Sequence, residues 1–215
     1  MAPSLESELK YRAETDATLD ALASPPELGP ATLGPAHTVE ETDRYLDTED
    51  RHLARARWAC RLRTREGRSL ISLKGPSQHV AGAALHQRPE LEGPSDGNLD
   101  PASWQPSPAR DLVLELTGGA LLSERLSLVQ RRTEREVVLA GRRVGLLSLD
   151  RSRVLHAGRE VGVLRVVELE LAPDALVGGL DPAPLERALA AISGLTPDPA
   201  SKLERALALI GEEGG

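Results

Sequence analysis

The sequence predicts an antiparallel β-sheet or closed barrel with a few helices, because three observations agree. Strand-like segments outnumber helix-like segments, and most of the junctions between them look like hairpins. Several of the strands also carry charged residues on one face and mostly apolar residues on the other. Such strands fit a wet, charged cavity on one side and a covering layer on the other.

The first strand shows this pattern near the N-terminus. Residues two apart on a strand share a face, so Glu6, Glu8, Lys10 and Arg12 point to one side. The opposite face is mostly apolar and holds Leu5, Leu9 and Tyr11. A solvated edge strand, or the first turn of a helix, would also explain this stretch. The strands that follow favour the charged cavity.

The next elements are a short helix, a loop and three strands. Residues 17–23 predict the helix, and the prolines and glycines of residues 25–35 predict the loop. A short strand over 41–48 holds Tyr45 and Asp47, and residues 49–56 turn helically. A hairpin over 58–74 turns at Glu66-Gly67 and again places cations on one face, namely Arg61, Arg63 and Arg65 on the first strand and Lys74 on the second.

The second half of the chain continues the alternation and ends in two helices. Strands are predicted around residues 86–92, 112–116, 125–139, 144–150, 152–156 and 160–171. Residues 93–108 are rich in Gly, Pro, Ser and Asp and predict an exposed, mobile loop. Helical spacing of leucines predicts helices over 184–192 and 200–210, with Ser201 as the cap of the second and Lys202 in its first turn.

Composition limits the classes of function. The chain has 215 residues, which suits one domain over 1–215, and its net charge of −7 gives no sign of a non-specific nucleic-acid binder. Its one cysteine, Cys60, excludes an internal disulfide and fits a reducing compartment. Neither a signal peptide nor a long apolar run is visible, so a cytoplasmic protein that does not bind membranes is expected.

The ionisable side chains indicate the chemistry of the cavity. The charged strand faces hold carboxylates at Glu6, Glu8, Glu90, Glu92, Asp150, Glu168 and Glu170, and cations at Lys10, Arg12, Arg61, Arg63, Lys74, Arg131, Arg135 and, from the last helix, Lys202. A lining of both signs suits a polyanion bound with a hard divalent metal, because Mg²⁺ prefers carboxylate and phosphate oxygens while Arg and Lys neutralise the remaining phosphate charge. No cluster of His and Cys supports zinc, and no Walker-type loop is present.

These residues resemble the signatures of the CYTH domain, a family of triphosphate tunnel metalloenzymes. The opening Glu-x-Glu-x-Lys is matched by Glu6, Glu8 and Lys10, and the late Asp, Glu-x-Glu and Ser-Lys by Asp150, Glu168, Glu170, Ser201 and Lys202. Between them, the remaining pieces of the family pattern are matched by Tyr45, Asp47, Thr48, Arg61, Arg63, Leu73, Lys74, Gly75, Pro76, Arg88, Glu90 and Glu92. The match is weakest at residues 131–135, where Thr133 separates Arg131 from Arg135.

The resemblance implies an α+β fold, mainly an antiparallel eight-stranded β-barrel with a few flanking helices, that binds triphosphate with Mg²⁺ or Mn²⁺. It assigns the metal to Glu6, Glu8, Asp150, Glu168 and Glu170, and the phosphates to Lys10, Arg61, Arg63, Lys74, Arg131, Arg135 and Lys202. Glu6, Glu8, Lys10 and Lys202 are the predicted catalytic residues. Arg12, Glu90 and Glu92 are further candidates, and the choice among Arg131, Arg132 and Arg135 stays open.

The expected activity is metal-dependent hydrolysis of a short triphosphate, foremost inorganic triphosphate to pyrophosphate and phosphate. Thiamine triphosphatase and adenylate cyclase are alternatives within the family, but the chain has only four aromatic residues to stack on an organic group. A non-catalytic polyphosphate-binding module is the alternative of another class. The expected assembly is a monomer or homodimer, with a small anionic substrate, no nucleic-acid partner and a disordered tail at 212–215. Lys202→Ala is expected to lose activity, with Arg205→Ala as its neutral control.

Overall fold

A computed structural model describes residues 4–79 and 85–212 and shows a closed antiparallel barrel of eight strands. The strands follow one another round the barrel in the order β1 (Ser4–Ala13), β8 (Leu85–Ser95), β6 (Arg68–Lys74), β5 (Ala59–Arg65), β4 (His37–Asp47), β9 (Ser123–Leu139), β10 (Arg142–His156) and β11 (Arg159–Leu171). Pairing of β11 with β1 closes the ring. The predicted fold class is therefore confirmed.

Four short strands extend the barrel edges. Strands β2 (Glu27–Leu28) and β3 (Ala31–Leu33) form a small hairpin on β9, and β7 (Gln78–His79) pairs with β8. Strand β12 (Leu195–Pro197) pairs with β1 opposite Tyr11 to Ala13. This last pairing brings the C-terminal part of the chain back to the first strand.

Within residues 4–79 and 85–212, six helices complete the fold: α1 (Asp16–Ala23), α2 (His52–Arg55), α3 (Pro108–Thr117), α4 (Pro173–Val177), α5 (Ala183–Ala190) and α6 (Lys202–Leu209). The predicted strand over 112–116 is wrong, because these residues belong to α3. Ser107 caps α3 by accepting a hydrogen bond from the Arg110 amide, and Pro108 occupies its first turn. Both are helix-start signals that the alternating leucines obscured.

Three hairpins of the barrel share one kind of turn. The loops Glu66-Gly67, Ala140-Gly141 and Ala157-Gly158 each place both residues at positive φ. This is the two-residue turn whose twist matches that of paired strands, and glycine at its second position accepts the left-handed backbone without strain. The predicted turn at Glu66-Gly67 is confirmed.

Most of the apolar core lies outside the barrel. One cluster joins the outer faces of β1, β10 and β11 to helices α1, α4 and α5, with Leu9, Leu19, Leu147 and Leu189 fully buried. A second joins β5 and β6 to α2 and α3. These strands therefore turn their apolar faces to a helical layer and their charged faces to the barrel lumen.

Residues 93–108, predicted as a mobile loop, begin within β8 and continue through a 3₁₀ turn at Pro101–Ser103. Trp104 is buried there, and its indole nitrogen donates a hydrogen bond of 2.7 Å to the carbonyl oxygen of Asn98. The segment is therefore not exposed throughout, and its mobility stays a prediction. In the predicted tail, Glu212 pairs with Arg125, and residues 213–215 lie outside the described residues.

Candidate active site

The inward faces of the barrel strands carry ionisable side chains of both signs. Carboxylates are contributed by Glu6, Glu8, Glu41, Asp43, Glu90, Glu134, Asp150 and Glu168, and cations by Lys10, Arg61, Arg63, Lys74, Arg88 and Arg132. Most of these groups are buried or half-buried, so each charge is stabilised mainly by its neighbours. They form three connected clusters along the lumen.

The first cluster surrounds Glu6 on β1. Lys74 Nζ lies 2.6 Å from one carboxylate oxygen, and Arg88 Nε lies 2.6 Å from the other. Burial opposes ionisation of Glu6, but Lys74 and Arg88 outweigh it and lower the pKa of Glu6 to about 2. Burial, with help from Arg88 and Arg61, lowers the pKa of Lys74. Glu90 lies 3.2 Å from the same ammonium group.

The second cluster joins three strands to helix α6. Lys202 Nζ donates hydrogen bonds of 2.5 Å to Asp150 and 2.7 Å to Glu168. Arg132 forms a two-pronged pair with Asp150, at 2.7 and 2.8 Å, and also reaches Glu168 at 3.5 Å. Burial opposes these charges, but Arg132 and Lys202 lower the pKa of Asp150, and Lys202 and Lys10 lower that of Glu168. All of these carboxylates and cations are therefore ionised at neutral pH.

Glu8 and Lys10 connect the two clusters along β1. Lys10 is only 2% exposed, and its Nζ lies 3.5 Å from Glu168, while Arg88 reaches Glu8 at 3.4 Å. Burial and the nearby charge of Glu168 raise the pKa of Glu8. Strand β1, whose pattern predicted the cavity, thus places two groups in the middle of the lumen. One is the Glu8 carboxylate, which Glu168 repels, and the other is the Lys10 ammonium group.

The third cluster fills the other side of the lumen around Asp43. Arg63 binds both oxygens of Asp43 at 2.7 Å, and Arg61 approaches one of them at 3.5 Å. Gln130 donates hydrogen bonds to Asp43 at 2.9 Å and to Glu41 at 2.6 Å. Despite complete burial, the two arginines hold the pKa of Asp43 well below its usual range.

Helix α6 enters the site because its N-terminus is fixed in three ways. The Ser201 side chain caps the helix by accepting a hydrogen bond from the Glu204 amide. The Glu204 carboxylate accepts a hydrogen bond from the Ser201 amide, which completes a capping box. Leu203, Leu207 and Ile210 pack against inward-facing Leu126, Leu128 and Val154. The helix therefore partly covers one end of the barrel, and its first residue projects into the lumen. The predicted cap and the predicted position of Lys202 are both observed.

The sequence motifs at residues 45–48 and 73–76 shape the rim of the cavity. Asp47 accepts hydrogen bonds from the Leu53 and Ala54 amides, which fixes the start of α2. Gly75 is packed so closely that an added Cβ would lie 2.6 Å from Pro89 and 3.1 Å from the Trp58 ring. Asp47 and Gly75 therefore support the site through structure rather than through charge.

Two predicted phosphate-binding arginines do not face the lumen. Arg131 is exposed on the outer face of β9. Arg135 is buried outside the barrel, where it donates hydrogen bonds to the carbonyl oxygens of Gly34, Ala23, Pro25 and Leu33. The prediction that these two line the tunnel is wrong, and Arg132 is the residue of this segment that does.

The other candidate residues lie inside or at the edge of the lumen. Glu6, Glu8, Lys10, Arg61, Arg63, Lys74, Glu90, Asp150, Glu168 and Lys202 contribute to the three clusters. Glu92 and Glu170 are exposed. Arg12 lies in a separate shallow pocket with Asp198 and Arg205. The roles assigned to these residues stay predictions.

Sequence reasoning assigned no site role to several residues of the lumen and left one open. It gave no role to Glu41, Asp43, Gln130 and Glu134, nor to Arg88, although Arg88 is part of the matched family pattern, and it left Arg132 as one of three choices. Alternation along β9 does place Gln130 and Arg132 on one face, and along β4 it places Asp43 with Tyr45. Arg88 shares its strand face with Glu90, which the prediction included. The alternation of side chains along each strand could therefore have identified these residues as facing the lumen.

The carboxylates fit a hard divalent cation by their chemistry. Glu170 makes no ion pair or hydrogen bond with another residue in the described ranges, and partial loss of hydration together with the charge of Glu6 raises its pKa. Glu8 is under similar repulsion from Glu168. A divalent cation would relieve this repulsion. Across residues 4–79 and 85–212, however, no three His, Cys, Asp or Glu side chains form a ready metal cluster; Lys74, Arg88 and Lys202 are paired with these carboxylates instead.

A cavity of about 470 Å³ opens from the lumen between α2 and α6. Its deep wall holds Glu8, Lys10, Arg61, Lys74, Arg88, Glu168 and Lys202. Its outer wall holds arginines from α2 and the segments next to it. The site is therefore accessible from the end of the barrel that α6 partly covers.

Within the described ranges, no helix has the length and apolar character needed to cross a membrane.

Comparison with known proteins agrees with this geometry. HpAC1 from Hippeastrum, described as an adenylyl cyclase candidate with a dominant triphosphatase activity, superposes with a TM-score of 0.68 at 21% identity over 96% of both chains. An adenylate cyclase candidate from Bacillus halodurans gives 0.55 at 21% identity over 94% of this chain and 97% of that one. At these identities the likeness shows the fold. No curated protein matches this chain by sequence.

The family model described as the CYTH domain matches residues 4–206, which span the whole barrel and reach into helix α6. The chain belongs to the CYTH family.

Proposed function

We propose that the protein hydrolyses a short triphosphate, foremost inorganic triphosphate, to pyrophosphate and phosphate with the help of Mg²⁺ or Mn²⁺. The observation that carries this proposal is the closed lumen in which buried lysines and arginines neutralise buried carboxylates. A bound polyanion would replace the carboxylates as the partner of the lysines and arginines. A bound divalent cation would replace the lysines and arginines as the partner of the carboxylates.

Six cations of the lumen would bind the phosphates. Lys10, Lys74 and Lys202 present compact ammonium groups, and Arg61, Arg88 and Arg132 present guanidinium groups that can bind two oxygens at once. These six side chains come from five strands and one helix, so they surround the lumen rather than line one wall. A linear phosphate chain along the axis would contact cations on all sides.

The carboxylates would hold the metal and orient the attacking water. Glu6, Glu8, Glu168, Glu170 and Asp150 supply the oxygen ligands that Mg²⁺ and Mn²⁺ prefer. The metal would supply charge neutralisation on the phosphate oxygens when bound. In the reaction, the water oxygen bonds to the terminal phosphorus while the bond to the bridging oxygen breaks, and pyrophosphate leaves. Such transfer depends mainly on positioning and charge stabilisation, which the closely spaced charged side chains of the lumen would provide.

Two alternatives lie within the same site. Thiamine triphosphate or ATP would place an organic group at the opening, where Trp58 and Tyr45 line the cavity. Trp58 packs against Gly75, and Tyr45 is only 7% exposed, so neither ring is freely available for stacking. This supports the inorganic substrate over both organic ones.

A non-catalytic polyphosphate-binding module is the alternative of another class. Anion binding alone gains nothing from Glu6, Glu8 and Glu168, because buried carboxylates repel phosphate. Their presence between the cations therefore favours a metal-dependent enzyme.

The substrate proposal is tested by comparing triphosphate, ATP and thiamine triphosphate under the same Mg²⁺ concentration. The expected result is a higher kcat/KM for inorganic triphosphate, with pyrophosphate and phosphate released in equal amounts. A higher kcat/KM for either organic substrate would reverse the order, and binding without any turnover would favour the non-catalytic module.

A further inference from the structure

The outer wall of the cavity carries a group of arginines that the proposed reaction does not use. Arg51, Arg55 and Arg57 come from α2 and its flanking residues, and Arg125 comes from the start of β9. All four line the same cavity as Lys10 and the other deep cations. We call these four residues the arginine collar.

The four collar arginines differ in whether they have an ionic partner. Arg51 and Arg125 share the carboxylate of Glu212, at 3.1 and 2.8 Å. Arg55 and Arg57 are exposed and form no ion pair or hydrogen bond through their side chains with the part of the chain that the structure describes. The four collar arginines outnumber Asp47, Glu204 and Glu212, the acidic residues that line the same part of the cavity, so its mouth attracts anions although the whole chain carries a net charge of −7.

The backbone holds the collar in an uncommon conformation. Arg51 and Arg57 flank α2, and both have positive φ, at 57° and 61°. This conformation is unfavourable for arginine, so the surrounding contacts must stabilise it. Asp47 supplies such contacts through its bonds to the amides of α2. The result is a short, fixed segment that presents arginines at the cavity mouth.

The size of the cavity leaves room beyond three phosphates. Its volume of about 470 Å³ lies within the range of sites for organic ligands of moderate size, roughly 300–1,000 Å³. The collar extends outward along the cavity from the deep cations. Because the Trp58 ring is packed against Gly75, the feature that the outer wall offers most freely is positive charge.

We propose that the arginine collar binds the fourth and later phosphates of a linear polyphosphate whose last three phosphates occupy the lumen. This inference rests on the proposed function, because it assumes that phosphates occupy the deep wall. It extends the substrate class from triphosphate to longer chains that bind more tightly. Arg55 and Arg57 are then residues that determine chain-length preference.

The test compares binding of triphosphate, pentaphosphate and ATP to the full chain by calorimetry without added metal, so that no turnover is needed. Arg55→Ala/Arg57→Ala removes the two unpaired collar charges. Arg68→Ala/Arg159→Ala is the matched control, because both residues are exposed hairpin arginines that do not line the cavity. Each double variant changes the net charge equally.

The collar variant is expected to lose about tenfold in affinity for pentaphosphate and less than about twofold for triphosphate, while the control variant changes neither. Equal losses for both phosphates, equal losses in both variants, or no binding of pentaphosphate would overturn the inference. A loss confined to ATP would assign the collar to an organic group and overturn it as well. Phosphate release is assayed separately with Mg²⁺, so failure of hydrolysis with the binding pattern intact counts only against the proposed function.

Discussion

Arg131 and Arg132 are neighbours on β9 with opposite environments. Arg131 is exposed, whereas Arg132 is 8% exposed and is held by Asp150, Glu168 and Glu41. Both faces of this strand carry charged residues, so polarity alone could not select the inward one. The position of Arg132 opposite Asp150 on β10 shows that Arg132 is the residue that faces the lumen.

This contrast gives a matched pair of variants. Arg132→Ala is expected to lower kcat/KM for triphosphate by at least about tenfold, equivalent to about 1.4 kcal/mol, because a phosphate-binding cation is lost. Arg131→Ala should stay within about twofold, since its side chain contacts solvent. Arg132→Lys keeps the charge in the lumen, so partial rescue would separate loss of charge from loss of folding. Equal activity of Arg131→Ala and Arg132→Ala would exclude Arg132 from the site.

Asp43 gives a prediction for acid stability. Its folded pKa lies below the ordinary value of 3.8, because Arg61 and Arg63 outweigh the effect of burial. A group with a depressed folded pKa contributes stability that is present above the unfolded pKa and is lost as pH falls through the folded value. The contribution of Asp43 should therefore be full at pH 7 and decrease below about pH 4.

Asp43→Asn is expected to lower the free energy of unfolding at pH 7 by about 3 kcal/mol, because Arg63 loses a buried charged partner. The same variant should show a smaller further loss between pH 5 and pH 2 than the wild type. Urea unfolding at several pH values measures both effects. A variant whose stability decreases with acid as steeply as the wild type would show that Asp43 does not contribute to the acid transition.

At the scale of elements, helix α6 depends on a contact that the sequence did not reveal. Arg205 binds both oxygens of Asp198, and Asp198 is 1% exposed. The Asp198 amide donates a 3.0 Å hydrogen bond to the carbonyl oxygen of Lys10, which ties the start of α6 to β1. Arg205 is therefore unsuitable as the neutral control expected from its position one turn after Lys202.

Arg205→Ala is expected to weaken the anchoring of Lys202 as well as the helix. It should lower kcat several-fold with little change in KM, because the phosphates still bind to the remaining cations. Lys202→Ala should lose at least about tenfold in kcat/KM. Arg187→Ala, an exposed arginine on α5, is the better control and should be near neutral.

The double variant Lys202→Ala/Arg205→Ala tests the positioning role directly. If Arg205 acts through Lys202, its substitution should add little once Lys202 is absent. Fully additive losses would mean that Arg205 stabilises the protein independently of the site. Thermal unfolding of each variant separates the loss of stability from the loss of positioning.

The elements also show what sequence reasoning could reach. Alternation predicted the charged faces of β1 and β5, because two-residue periodicity does not depend on distant contacts. It could not tell that Arg135 would bind the carbonyl oxygens of residues 22–34, since that partner is a loop about 100 residues away in the chain. Helix α3 was missed because Leu112, Leu114 and Leu116 alternate as on a strand, whereas the helix buries Ala109, Val113 and Thr117 at four-residue spacing.

At the scale of the whole molecule, the fold reverses the usual distribution of polarity. Closing the sheet into a barrel places the charged faces together, and the helices cover the apolar outer faces. The shared order of motifs along the chain indicated this architecture, including the closed barrel, but the contact of Arg205 with Asp198 that anchors α6 required the structure. Buried charges of both signs then stabilise one another until a ligand competes for them.

This arrangement predicts a strict dependence on divalent metal. Without metal, the phosphates would meet Glu6, Glu8 and Glu168 directly, and their repulsion would oppose the attacking water. Glu168→Gln removes one predicted ligand that also pairs with Lys202 and Lys10, so it should abolish turnover at limiting Mg²⁺ while thermal unfolding still shows a folded protein.

The most direct test of the central claim is the rate of inorganic triphosphate hydrolysis by the wild-type chain with Mg²⁺, with Mn²⁺ and with EDTA. The account predicts release of equal amounts of pyrophosphate and phosphate with either metal, and loss of that activity in EDTA that is restored by adding metal. Undiminished hydrolysis in EDTA, or no hydrolysis with either metal while triphosphate still binds, would contradict it.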